Sequence, residues 1–162
     1  MGELEQLLRH LKQPEYVHVL LNPIPVYGMV AGVIALIAAL FTQGRAAKLI
    51  GLGLVFLAGA SVWPVVHYGQ AGYDRVYAMS NRDAQQWLEL HMDRAERWEY
   101  LFYATAALAA VSIISLWKFP AAGRPLLVVT CAFAFVCVGV GGWIGHAGGQ
   151  VRHSEFRDGP PP

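Results

Sequence analysis

Four apolar runs, about Tyr16–Phe41, Leu49–Val66, Tyr100–Trp117 and Pro125–Ile144, dominate this chain of 162 residues. A run of this length crosses a hydrocarbon core of about 30 Å as a helix rising about 1.5 Å per residue. In lipid every backbone N–H and C=O must be paired internally, so such runs fold as helices. Composition agrees: 56% of residues are hydrophobic and only 14% charged, which fits one integral membrane domain rather than a soluble globule. The reading is an all-α fold, an integral membrane four-transmembrane-helix bundle with an N-terminal interfacial helix. Residues 1–15 form that interfacial helix, 16–157 the transmembrane domain and 158–162 a flexible tail.

Four crossings put the N-terminus, the second connection and the C-terminus on one side. All six histidines then fall on that side. His10 and His18 stand before or at the start of the first run, His67 ends the second, His91 precedes the third, and His146 and His153 follow the fourth. The connections on the other side, Thr42–Lys48 and Lys118–Arg124, contain none. Imidazole at a membrane surface is costly unless it binds or titrates something. The pattern predicts a histidine-rich site at one rim.

The start of the chain, MGELEQLLRHLKQPEY, is amphipathic, with Leu4, Leu7, Leu8 and Leu11 at helical spacing. It lacks the basic n-region of a cleaved signal peptide, so the first span directs insertion. Pro23 and Pro25 sit deep enough to loosen the first span, and Pro64 frees the carbonyl of Ala60 and bends the second. Tyr68, Tyr73 and Tyr77 suit an interfacial belt. Ser80 or Asn81 can cap a helix that continues unbroken into the third span. Ala84, Trp87, Leu88, His91, Ala95, Trp98 and Phe102 make its inward stripe. In the fourth span Gly139, Gly142, His146, Gly149 and His153 recur at steps of three and four, a stripe of glycine and histidine. Cys131 and Cys137, six apart on that helix, read as packing residues without a disulfide.

The first chemistry such residues suggest is a b-type haem. A membrane haem needs imidazole ligands from facing helices and small-residue surfaces against which the macrocycle lies. His146 and His153, with Gly142 and Gly149, offer both; His91 supplies an opposite ligand, with His18 and His67 as alternatives. Trp63, Trp87, Trp98 and Trp143 would wall the pocket, and Arg152 would pair with a propionate or with Glu155. The second is a non-haem Zn, Cu or Fe ion held by His18, His91, His153 and His67 with Glu15 or Glu155. Glu15 and His18 have the Glu-x-x-His spacing of di-iron bundles, but only one such pair exists. The third is proton handling by His18, Asp74, His91 and Glu99. The fourth is an accessory structural subunit of a membrane complex, its histidines merely bonding the rim. No catalytic residue is assigned, and no G-x-S-x-G, phosphate loop, dinucleotide fingerprint or C-x-x-C-H occurs. The net charge of +1 and the lack of a basic stripe exclude a nucleic-acid surface. Membrane lipid, a redox partner and a second copy of the chain are the partners this reading allows.

HVLLNPIPVYG, ELHMDRAE and GGQVRHSEFR together resemble a family of small bacterial four-helix membrane proteins of unknown function, with HVLLN…P and GG-x-[IV]-RH-x-E motifs. The resemblance spans residues 17–157 and its last motif is the most specific. It implies that His18, Asn22, His91, Gly148, Gly149, Arg152, His153 and Glu155 matter. Many members read N-H-x-P where this chain has Asn22-Pro23-Ile24-Pro25, so no ligand is carried over there. The resemblance further implies a bacterial inner-membrane protein, a cytochrome-like electron carrier as partner, and a periplasmic histidine face. Cation density agrees: Arg45, Lys48, Lys118 and Arg124 crowd the short connections, with no acid among them. Cation count alone favours the reverse, because the remaining Lys and Arg lie on the histidine side.

Overall fold

Prolines and one asparagine side chain set most of the helix boundaries. The computed structural model describes residues 2–42 and 44–160, with the backbone alone at Pro120 and Ala121. Helix α1 (Glu3–His10) precedes α2 (Pro14–Leu21) and α3 (Pro23–Leu40). Pro14 opens α2 at a first-turn position, where its missing N–H costs nothing. Pro23 and Pro25 cannot donate to the carbonyls of Val19 and Leu21, and the ladder is interrupted at Asn22. Helices α4 (Arg45–Ala60) and α5 (Val62–Ala78) break in the same way at Ser61, three residues before Pro64. There the Ser61 hydroxyl donates to the carbonyl of Ala58 at 2.7 Å. Asn81 Oδ1 accepts the Ala84 N–H at 2.9 Å and starts α6 (Arg82–Lys118), whose 37 residues run unbroken. Helix α7 (Pro120–Arg152) is followed by a 3₁₀ turn at Ser154–Phe156.

The fold is all-α; no strand occurs among the described residues. Four helical segments, Pro14–Leu40, Arg45–Ala78, Arg82–Lys118 and Ala122–Arg152, are long and apolar enough to cross a membrane. Each outruns the apolar run that announced it, because the Gly- and Tyr-rich stretch after Pro64 and the glycines after Val138 stay helical. The amphipathic start is shorter than expected. It ends at His10, and its Leu4 and Leu8 are 68% and 53% exposed, so much of the leucine face is uncovered. Pro161 and Pro162, the end of the expected flexible tail, lie outside the described residues.

The chain forms two compact units. Pro23–Val62 with Glu99–Gly141 make the apolar unit. Here α3 and α4 approach through glycine. A Cβ on Gly32 would lie 2.6 Å from Val55 Cγ2, and one on Gly59 would lie 2.7 Å from the carbonyl oxygen of Phe102 on α6. Backbones this close are held by dispersion and shape, since burial of apolar surface gives little net gain in lipid. Helices α6 and α7 add polar links: Thr105 Oγ1 and Cys137 Sγ lie 3.2 Å apart, Ser112 Oγ and Thr130 Oγ1 2.9 Å apart. Both cysteines are free thiols. Ile34, Leu57 and Phe135 face outward, each more than 60% exposed, the surface expected against lipid.

Met1–Asn22, Trp63–Trp98 and Gly142–Pro162 make the second unit, which holds every histidine. Ala84, Trp87 and Val151 form its small buried core, with Leu88 and Leu90 against it.

Candidate functional site

Of the expected inward stripe on α6, Ala84, Trp87 and Phe102 are buried and His91 is half-buried, whereas Trp98 is 39% exposed. On α7 the glycine and histidine stripe lies largely on the outer face. Gly139, Gly142, His146 and His153 are exposed. The face that packs is instead the one carrying Ala134, Cys137, Ala147 and Val151. Both faces of α7 are apolar or small, so periodicity alone does not choose between them.

Two imidazoles do meet inside the histidine unit. His18 on α2 and His91 on α6 have ring centroids 6.2 Å apart, with planes at 75°. Each ring is bonded to the backbone of a neighbouring helix. His18 Nδ1 lies 2.9 Å from the carbonyl oxygen of Val65 on α5. His91 Nδ1 lies 3.0 Å from that of Ile144 on α7. A carbonyl oxygen only accepts, so both Nδ1 atoms carry the proton. In each neutral ring the lone pair therefore sits on Nε2, the form in which imidazole binds a metal. A neighbouring carbonyl on Nδ1–H is also the usual orienting contact of a metal-bound histidine, and it raises the basicity of Nε2.

The remaining sequence candidates lie elsewhere. His67 is exposed and stacks on Trp63 at 5.5 Å. Glu15 binds Arg75 at 2.9 Å. His153 and Glu155 pair with each other at 2.9 Å on the exposed turn after α7, with Phe156 stacked on the imidazole. The backbone N–H of Glu155 and the His153 ring hold that carboxyl below its usual range. Glu155 thus takes His153, not Arg152, as its partner. Arg157 instead closes the end of α7, donating to the carbonyls of Gln150 and Val151 at 2.8 and 3.2 Å. Glu99, a member of the proton-handling set, belongs to the apolar unit and accepts from Tyr103 at 3.2 Å. Of the tryptophans expected to wall a pocket, Trp87 is buried, while Trp63 and Trp143 are 65% and 46% exposed.

This geometry tests what the site can hold. Among the described residues no three His, Cys, Asp or Glu side chains are grouped to hold an ion. A structural zinc needs four protein ligands and a catalytic zinc three. Two imidazoles suffice only where the remaining equatorial donors come with the metal, as in haem. The two ring centroids stand 6.2 Å apart with planes at 75°, an edge-to-face arrangement within the range of about 4.5–7 Å common to paired rings.

Sequence reasoning missed the backbone partners of the two rings, and it missed Arg94. The Arg94 guanidinium lies 3.9 Å over the Trp143 ring and its Nη1 donates to the Trp143 carbonyl at 3.3 Å. Its Nε, the Trp87 Nε1 and the Glu15 Oε2 are buried without a hydrogen-bond partner. All three belong to the histidine unit. Comparison with protein-family models, with curated proteins and with solved structures finds no match to this chain.

Proposed function

We propose that this chain is a membrane-embedded b-type haem electron-transfer protein or subunit, with His18 and His91 as the residues that would hold the haem. The observation that supports the reading is the pair itself: two imidazoles 6.2 Å apart, each with Nδ1 spent on a carbonyl and Nε2 left for a metal. The exposure of His146 and His153 argues against them as the residues that would hold it. When bound, the haem supplies one-electron redox chemistry. The chain's own residues fix the two rings, withdraw them from water and set their basicity through the two carbonyls. The unpartnered Glu15 Oε2, Trp87 Nε1 and Arg94 Nε are the kind of buried polar atoms that mark a functional site rather than a packing core.

The setting we infer is the bacterial inner membrane, with the histidine unit on the periplasmic side and a cytochrome-like carrier as redox partner. It rests on the motif resemblance and on cation density in the short connections. In that setting α1 lies on the bilayer surface, its leucines buried among the lipids.

The test is a dithionite-reduced minus oxidised absorption spectrum of detergent-purified, haem-replete protein, with a pyridine haemochrome assay. Sharp α and Soret bands are expected. His18→Ala and His91→Ala should each abolish them, and His146→Ala and His153→Ala should keep them. A featureless spectrum from folded protein would sink the proposal. Stoichiometric Zn, Cu or Fe without porphyrin would replace it with a non-haem metal protein.

A further inference from the structure

Each imidazole of the pair rests on a glycine, and the two seats are built alike. Val65 and Gly69 are four apart on α5, as are Ile144 and Gly148 on α7. In an α-helix the N–H of residue i+4 bonds to the carbonyl of residue i. The carbonyl that His18 reaches is therefore the acceptor for Gly69, and the one His91 reaches is the acceptor for Gly148. A side chain at i+4 would stand beside that carbonyl. At Gly69 an added Cβ would fall 2.9 Å from His18 Nδ1, and at Gly148 3.0 Å from His91 Cε1. Glycine at these positions bares a carbonyl that is already bonded within its helix, and a second donor from the neighbouring helix shares it.

The same pattern is written twice in the sequence. Val65-Val66-His67-Tyr68-Gly69 and Ile144-Gly145-His146-Ala147-Gly148 both read [VI]-x-His-x-Gly. In both, the middle histidine is exposed and the first and last residues form the seat. In both, the seated ring comes from the span that precedes in the chain, the first onto the second and the third onto the fourth.

We infer that Gly69 and Gly148 are positioning residues, two copies of one device that locks an imidazole as its Nδ1–H form with Nε2 presented. The device acts on the rings of the proposed haem site and rests on that reading for its consequence. Its geometry can be tested without haem.

Long-range proton–nitrogen NMR on ¹⁵N-histidine protein, free of haem at pH 8, reads the tautomer of each ring directly. The pH stands above the unperturbed imidazole value of about 6.5. His18 and His91 should be protonated at Nδ1 and bare at Nε2. Gly69→Ala should abolish that signature for His18 and leave His91 unchanged; Gly148→Ala should do the reverse. Gly145→Ala, whose added methyl meets open space, should alter neither ring. In haem-replete protein either seat variant should raise the midpoint potential, because a less basic ligand stabilises the oxidised metal less. Nε2–H rings in the wild type, or seats whose alanine variants keep both signatures, would overturn the inference. If a seat variant fails to fold, the wild-type tautomers alone decide. Seats that behave as expected in a protein that takes up no haem would uphold the device and overturn the haem reading.

Discussion

The two units of this protein solve the polar-group problem in opposite ways. In the apolar unit the buried hydroxyls of Thr105, Ser112 and Thr130 each return a hydrogen bond to a carbonyl of their own helix, at 2.7–2.8 Å. They then touch a partner on the neighbouring helix. Among the described residues, no buried side-chain nitrogen or oxygen of this unit lacks a hydrogen-bond partner. The histidine unit spends half of each inner imidazole on a backbone carbonyl and leaves the other half available, and it buries three further polar atoms without partners. One unit is built for close packing in lipid, where small residues and satisfied hydroxyls set helix approach. The other keeps hydrogen-bonding capacity unspent, at a cost to stability. The contrast teaches that glycine serves two purposes in one chain. Gly32 and Gly59 admit a neighbouring backbone, whereas Gly69 and Gly148 admit an imidazole.

Substitutions that separate stability from site chemistry test this division. The largest effect is expected in the apolar unit. Gly59→Ala drives a methyl to 2.7 Å from the Phe102 carbonyl oxygen and 2.9 Å from Ala106 Cβ. Neither atom sits at the end of a flexible chain, so overpacking of about 1–3 kcal/mol is expected. Thermal unfolding in detergent should show it, while the histidine tautomers stay as in the wild type. Altered tautomers in that variant would erase the division between the units. A smaller loss belongs to Asn81→Ala, which removes the acceptor for the Ala84 N–H at the start of α6. It should cost about 1 kcal/mol and increase hydrogen exchange in the first turn of α6 only. Exchange spreading to His91 would mean that the site depends on the cap.

The smallest effect concerns Glu155. Its carboxyl is held down by its own backbone N–H and by His153. A group with a depressed folded-state pKa adds stability that is present above its unfolded value of about 4.3 and lost as pH falls through the folded one. A ¹³C titration of Glu155 should therefore give a midpoint below the usual carboxylate range, rising in His153→Ala but not fully, because the backbone N–H remains. An unchanged midpoint in that variant would show that the exposed pair has no electrostatic coupling.

Much of this arrangement is legible without coordinates. The four spans follow from apolar length, the interruptions at Asn22 and Ser61 from Pro23 and Pro64, and the start of α6 from the capping amide of Asn81. The placement of every histidine in one unit follows from topology alone. These are local matters: a missing N–H or a capping oxygen acts on residues three or four away, and sequence records such neighbours directly.

The facing of α7 and the identity of the ring partners were not legible. A helix that is apolar or small on every side does not say which side a neighbour will cover. So His146 looked as eligible as His91, although His146 is exposed and His91 half-buried. The seats were half-written in the repeated [VI]-x-His-x-Gly, yet that pattern holds its own histidine outward and receives another from a different span. Sequence determined where helices begin, end and break, because those events are decided by bonds along the chain. Only the tertiary structure decided that His18 and His91 meet and that Val65 and Ile144 accept them. Those contacts join residues 47 and 53 positions apart, and the closeness of the helices that carry them selects them.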